Sequence, residues 1–458
     1  MTAAWDVLTR LIRAVARSRA VPIVLLLWGV AVLSFLYGDF AASNHTALSR
    51  QLDKSRKDLK ELAEGTLTAL GWPHYPYFAT HEKRTVNIRR PGAIAPGLTL
   101  ISGLGPNGAL FAKIVDVNGR TLHSWDLDWF RLWPHPTHLP DDVRPKSRPG
   151  TIIHGMVMEA NGDLIFNFDS MGLMKVDFCN HPIWRLPLRT HHSVERDENG
   201  NYWVSGVVVR TRPIPGLPNH PPPIPDYSAF EVSQDGKVMR EINVFDLLKR
   251  NGFQGALYLR SNQDNPTTVD GDMLHLNQVE VFPSTMAEGA FKHGDVLISL
   301  RNINSIVVFD PHTLVIRTVI FGRTVRQHDV HFVDGWTVSA LDNNNVDATG
   351  DTSELSSRIV TMSVRGGRTN VLFEGTADHP FFTHALGKQQ WLDNGDILVT
   401  EAGAGRALEV APDRQIVWEY FNQTGRRGEL GLLTQATRLP PAFPASKVEE
   451  LAAKCRKN

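Results

Sequence analysis

Gln327-His328-Asp329-Val330-His331-Phe332, followed by Asp334-Gly335-Trp336 and the run Thr337 to Leu341, is the stretch whose reading decides the fold. A histidine stands about seven positions ahead of a turn glycine, and a β-type run follows. The same outline recurs along the chain. His192 precedes Asn199-Gly200 and Tyr202-Trp203-Val204, and His154 precedes Asn161-Gly162 and Leu164-Ile165-Phe166. His275 leads into Val279 to Phe282 and then Gly294 to Ile298. One position of a repeated unit is thus repeatedly histidine.

Beyond a segment containing Pro91 and Pro96, short β-type runs alternate with Asn-Gly and Asp-Gly turns, and no long helical pattern intervenes. Units of roughly 40 to 60 residues with about four runs each are the signature of propeller blades. The first holds Leu98 to Ser102, Leu110 to Val117 and Thr121 to Leu127; the second runs from Ile152 to about Leu188. The third spans His191 to Leu248, with a proline-rich insertion between Pro213 and Pro225. Leu274 to Phe321, Gln327 to Phe373 and His384 to Tyr420 form the fourth to sixth. The first unit lacks an opening strand, and residues 433–440 supply one at the far end. Closing the ring this way removes open sheet edges. The expected fold is all-β, a six-bladed β-propeller over residues 97–442, preceded by an N-terminal transmembrane helix and a short helical stalk.

The N-terminal region carries its own signals. Residues 20–37 form an uncharged apolar run just long enough to span a bilayer, preceded by Arg10, Arg13, Arg17 and Arg19. The charge bias keeps residues 1–19 in the cytoplasm and sends the rest outside. A cleaved signal peptide with Ala41-Ala42-Ser43 as its site is the alternative; the length of the run favours an uncleaved anchor. Residues 45–71 read as a helix, Leu48, Leu52, Leu59 and Leu62 falling on heptad spacing. That stalk allows a homodimer. Residues 72–96 read as a linker and 443–458 as a charged tail. The expected location is an inner membrane, with the propeller on the periplasmic side.

With 458 residues, 42% of them apolar, and a formal charge of zero, the chain can bury a large core and offers no electrostatic case for nucleic acid. Cys179 and Cys455 are too few for a disulfide framework and lack metal-type spacing. A single bridge is open to them, although the charged tail around Cys455 argues against it.

In a propeller the first strand of each blade is innermost, so one position of successive opening strands faces the axis. His154, His192, His275 and His328 hold it in blades two to five, and Gly387 and Thr434 in blades six and one. Strand alternation sends His191 away from His192 and His331 away from His328. Arg301, ending the second strand of blade four, falls near His275, where an arginine suits a bound anion.

Asp272-Met273-Leu274-His275-Leu276-Asn277, followed by Ile298-Ser299-Leu300-Arg301, closely resembles the Asp-x-x-His-x-Asn and Ser-x-Arg elements of bacterial arylsulfate sulfotransferases. Gln327-His328-Asp329, with Leu341-Asp342-Asn343 after it, resembles that family's Gln-His element and Asp-Asn strand end. The resemblance covers about residues 97 to 442. It implies a six-bladed propeller outside the cytoplasm that moves a sulfuryl group from an aryl sulfate to a phenolic acceptor, with no cofactor. By the same resemblance His328 is the transiently sulfated nucleophile and His275 the acid/base partner. His192, Asn277 and Arg301 hold the sulfuryl oxygens. His154, which has no counterpart in the family pattern, and Thr434 complete the ring expected to face substrate. The N-terminal anchor, the proline-rich insertion and the lack of a cysteine pair beside the site depart from the pattern.

That chemistry is coherent in itself. A neutral imidazole can attack sulfur and hold the group covalently, which predicts ping-pong kinetics. Charge on the oxygens is met by Arg301 and the Asn277 amide. No Gly-x-x-x-x-Gly-Lys loop offers a cradle to a nucleotide sulfate donor. Two other classes fit a propeller: a metal-dependent hydrolase or lactonase with His192, His275 and His328 as ligands, and a ligand-binding propeller without catalysis.

Overall fold

The computed structural model describes residues 20–43, 77–141, 143–259, 271–346, 356–376 and 379–456. Residues 1–19 and the stalk at 45–71 lie outside them. One unit comprises Met1–Thr66 and another Leu67–Asn458.

Within the second unit, the described strands form six antiparallel blade sheets that follow one another along the chain, and one further two-stranded sheet. Blade two is Ile153–Met158, Leu164–Phe168, Gly172–Val176 and Pro182–Leu186. Blade three is Thr190–Arg196, Tyr202–Arg210, Ile224–Val232 and Val238–Asn243. Blade four is Leu276–Val281, Val296–Leu300, Ser305–Phe309 and Ile316–Phe321. Blade five is His328–Asp334, Thr337–Asp342, Arg358–Ser363 and Thr369–Glu374. Blade six is Lys388–Trp391, Ile397–Glu401, Arg406–Val410 and Ile416–Phe421.

Blade one is completed from the far end of the chain. Leu433–Arg438 pairs antiparallel with Thr99–Leu104, Arg438 opposite Thr99, and Leu110–Val115 and Thr121–Asp126 follow. Arg438 fastens this closure: its guanidinium lies 2.8 Å from Glu409 of blade six and donates to Thr99 Oγ1 and the Ala95 carbonyl. The core lies between the sheets. The middle strands of blade four, Val296–Leu300 and Ser305–Phe309, are buried along their length, and each fully buried Leu, Ile or Phe contributes roughly 1.5–3 kcal/mol.

Three expectations are corrected. The segment read as a linker is folded from residue 77: Tyr77–Ala79 pairs with Glu429–Gly431, and Val86–Ile88 adds a fifth, outermost strand to blade six. The segment read as a charged tail forms the helix Ala445–Cys455, whose buried Val448 and Leu451 join the core around Trp125 and Phe178. That docking carries Cys455 to Cys179, and the two form a disulfide with Cα atoms 5.3 Å apart, within the usual range for a bridge.

In the other unit the apolar run is a helix, Ala20–Ser43, on which Leu26, Leu27, Trp28, Leu33 and Phe35 are exposed. Among the described residues no helix is long and apolar enough to cross a membrane.

Candidate active site

The inner strands do not run as plain strands at the histidines. In blades one to five the pairing with the second strand slips at one end, between Leu433 and Gln435, Ile153 and Met156, His191 and Val194, Leu276 and Gln278, and His328 and His331. Such bulges re-aim side chains. Here His192 and His275 take left-handed backbone angles, φ +60° and +54°, and so does Asp329 after His328, at +50°. In blade six Gly387 occupies the corresponding place at φ +101°. Gly155 allows a close approach of neighbouring strands, because a Cβ there would stand 2.0 Å from the His192 carbonyl oxygen.

The result is a buried histidine cluster. Ring centroids lie 3.9 Å apart for His154 and His192, 4.9 Å for His192 and His275, and 5.6 Å for His192 and His328. His191 belongs to it as well. Alternation predicted that it points away, but the bulge breaks the two-residue period, and His191 Nδ1 lies 2.6 Å from His192 Nδ1. Thr434, at the same place in blade one, is buried and hydrogen-bonded to Ser102 Oγ at 2.8 Å.

Second-strand ends supply the partners. Asn343, just past Thr337–Asp342, donates through Nδ2 to the carbonyls of Thr383 (2.8 Å) and Leu386 (3.0 Å). Its Oδ1 must therefore face His328 Nδ1, 2.6 Å away, so that nitrogen is the one carrying the proton. The other nitrogen, Nε2, is a lone pair, buried and without a hydrogen-bond partner among the described residues. Burial, and after it the Arg301 charge, pushes His328 well below the ordinary histidine range. It is thus neutral, with the Nε2 lone pair unengaged among the described residues.

Asp272, in the turn before blade four's inner strand, hydrogen-bonds His275 Nδ1. Against the opposing effect of burial, that bond keeps Asp272 below the usual carboxylate range. An ionised Asp272 fixes the proton on His275 Nδ1, so His275 Nε2 accepts from His192 Nε2–H, 3.3 Å away. His192 Nδ1 in turn accepts from His191 Nδ1–H. Burial pushes His191 down to about 3 and His192 well below its ordinary value.

Arg301 opens the turn Arg301–Ile303, with its Nε on Asn302 Oδ1 at 3.1 Å and its backbone N–H on the His275 carbonyl. Its charge is felt at both His328 and Asp272. The Asn277 amide donates to the Gln327 carbonyl at 2.7 Å and so fixes the residue before His328; its Oδ1 is buried without a partner among the described residues. His331 lies with Asp329 (3.0 Å) and Glu280 (3.3 Å), in a network that takes in Lys388, 2.7 Å from Asp329.

The groups of three donors close enough to share a cation, among the described residues, are His154, Asp169 and His192; Glu195, Asp329 and His331; and Asp177, Cys179 and His181. Cys179 is disulfide-bonded, and the first two are closed by their own ion pairs. His192, His275 and His328 do not form such a group, so the ligand set expected of a metal-dependent hydrolase is not assembled. Sequence reasoning also passed over Asp169 and Tyr227, whose ring lies 5.4 Å from that of His191 and 6.3 Å from that of His275. Asp169 directly follows the second strand of blade two, as Arg301 and Asn343 follow those of blades four and five. A polar residue recurring there was the available signal.

A ring closed by its own C-terminal strand, with a neutral, unpartnered imidazole nitrogen near its axis, defines a six-bladed propeller with a candidate nucleophilic centre. The sequence profile described as arylsulfotransferase (ASST) matches residues 155–423, more than half of the chain, and the protein belongs to that family. No curated protein matches the chain. Among solved structures, a protein of unknown function from Bacteroides caccae is 11% identical at a TM-score of 0.45, over 73% of this chain and 97% of its own. Virginiamycin B lyase from Staphylococcus aureus, in selenomethionine form, is 10% identical at 0.37, over 78% and 98%. The WD40 β-propeller domain of Doa1 is 9% identical at 0.36, over 79% and 86%. Similarities this remote carry no argument about chemistry.

Proposed function

We propose that this protein moves a sulfuryl group from an aryl sulfate ester to a phenolic acceptor in two half-reactions, with His328 sulfated in between. The observation that carries the reading is the free Nε2 of His328, held as a lone pair by Asn343 on the opposite nitrogen. In the first half-reaction Nε2 forms a bond to sulfur, and the S–O bond breaks with its electron pair on the aryl oxygen. A proton taken up from solvent at His275 Nε2, in place of the hydrogen bond from His192, passes to that oxygen, while Asp272 keeps the Nδ1 proton. Arg301 and the His192 N–H offset charge on the sulfuryl oxygens in a dry site. In the second, an acceptor oxygen attacks sulfur and the electron pair of the S–N bond returns to His328.

The chain is further proposed to act outside the cytoplasm, held to the membrane by Ala20–Ser43. Exposed apolar side chains on that helix support this, as does the Cys179–Cys455 bridge, since disulfides persist in oxidising compartments.

The test is release of nitrophenol from 4-nitrophenyl sulfate with a phenol acceptor, comparing wild type with His328→Ala. Release that rises with acceptor and needs His328 supports the reading. Release that survives in His328→Ala, or its absence from both proteins across a panel of acceptors, contradicts it.

A further inference from the structure

His192 is flanked by two aspartate–histidine pairs. On one side stands His275 with Asp272; on the other, His154 Nδ1 lies 3.0 Å from Asp169 Oδ1, its ring 3.9 Å from that of His192. The carboxylates come from separate parts of the fold. Asp272 precedes the inner strand of blade four, whereas Asp169 follows the second strand of blade two. Asn167 frames the second pair, accepting from the N–H groups of His154 and Gly155 and donating to the His192 carbonyl. Each carboxylate is kept below its usual range, against burial, by the bond to its own histidine. A carboxylate on Nδ1 holds the proton there and leaves Nε2 as the base.

The two bases are not equivalent. His275 Nε2 accepts from the His192 N–H in the resting site and, once it takes a proton from solvent in place of that bond, presents the donor a departing phenolate needs. His154 Nε2 accepts no hydrogen bond among the described residues, and both imidazoles act electrostatically on His328. Resting on the sulfohistidine reading above, we propose that the proton work is divided, His275–Asp272 serving the departing aryl oxygen and His154–Asp169 the incoming acceptor. In the second half-reaction the acceptor O–H proton moves to His154 Nε2 as its oxygen bonds sulfur and the S–N bond breaks. His275 has then given up one proton and His154 has gained one; exchange with solvent restores both. Two separate pairs let the acceptor be a weaker acid than the phenol that leaves.

Rapid-quench kinetics on the full chain separates the steps, because 4-nitrophenyl sulfate reports the first as a burst and a series of phenols of graded acidity reports the second. His154→Gln is expected to slow the acceptor-dependent step by roughly 100-fold, the scale of a general base. The effect should grow as the phenol becomes less acidic, and the burst should slow far less. Asp169→Asn, which keeps the side-chain shape, should act in the same direction with a smaller effect and an intact melting transition. Equal slowing of burst and turnover, or a wild-type dependence on acceptor acidity in both variants, would overturn the division while leaving the sulfohistidine intact. Absence of a burst from wild type would remove the sulfohistidine reading and this inference with it.

Discussion

Loss of the Asn343 side chain is predicted to impair the chemical step more than donor binding. Its Oδ1 is the acceptor for the His328 Nδ1 proton, at 2.6 Å in a buried site. Without it that N–H is unpaired, at a cost of about 1–3 kcal/mol. The imidazole escapes the cost by moving its proton to Nε2, the atom proposed to attack sulfur. At about 1.4 kcal/mol per factor of ten, the competent tautomer falls roughly 10- to 100-fold. The burst rate of Asn343→Ala with 4-nitrophenyl sulfate should fall by that factor, with little change in donor KM. Asn343→Asp keeps an acceptor for Nδ1 and should recover most of the burst rate. Its negative charge should also move the acid limb of the pH profile upward, by favouring the imidazolium. Both variants strip donors from the Thr383 and Leu386 carbonyls, so both should melt earlier than wild type. A folded Asn343→Ala with a wild-type burst rate, or an Asp variant no faster than the Ala variant, refutes the argument.

Three further outcomes are expected. Burial and Arg301 hold His328 below the ordinary value, and protonation removes its lone pair. The single-turnover burst should therefore show no acid limb as the pH falls through about 6.5, and an acid limb at or above that pH in wild type would contradict the assignment. His331 is raised well above its ordinary value: burial opposes its charge, but Asp329 and Glu280 outweigh burial. Its contribution to stability is fully present below about pH 6.5 and lost as the pH rises through the raised value. The difference in Tm between wild type and His331→Gln should accordingly be widest in mild acid and shrink in alkali. Cys455→Ser should destabilise the propeller by roughly 2–5 kcal/mol in thermal unfolding, because the bridge staples the helix that follows the closing strand; reduction of wild type should reproduce the loss.

The blades were legible because each carries its own turn signals, and the ring closure because blade one lacks an opening strand while Leu433–Arg438 has no blade after it. Histidine at one repeated position disclosed the axial cluster. What alternation missed was local backbone conformation. The left-handed turn at His192 brings His191 into the cluster, and nothing in a two-residue period foretells a bulge. Asp169 escaped notice because its partner, His154, is near only after two strands have paired. The disulfide was misread for a different reason. Val448, Leu451, Ala452 and Cys455 already stand at helical spacing on one face, but the surrounding charges hid the stripe.

The central claim is a sulfuryl group on His328, and mass spectrometry of the chain tests it directly. The protein is mixed with 4-nitrophenyl sulfate without acceptor, quenched in alkali and digested. The account predicts one SO3 unit on the peptide carrying His328, lost when phenol is added before the quench and absent from His328→Ala. Turnover without any adduct, or an adduct on another residue that phenol discharges at a competent rate, would contradict it.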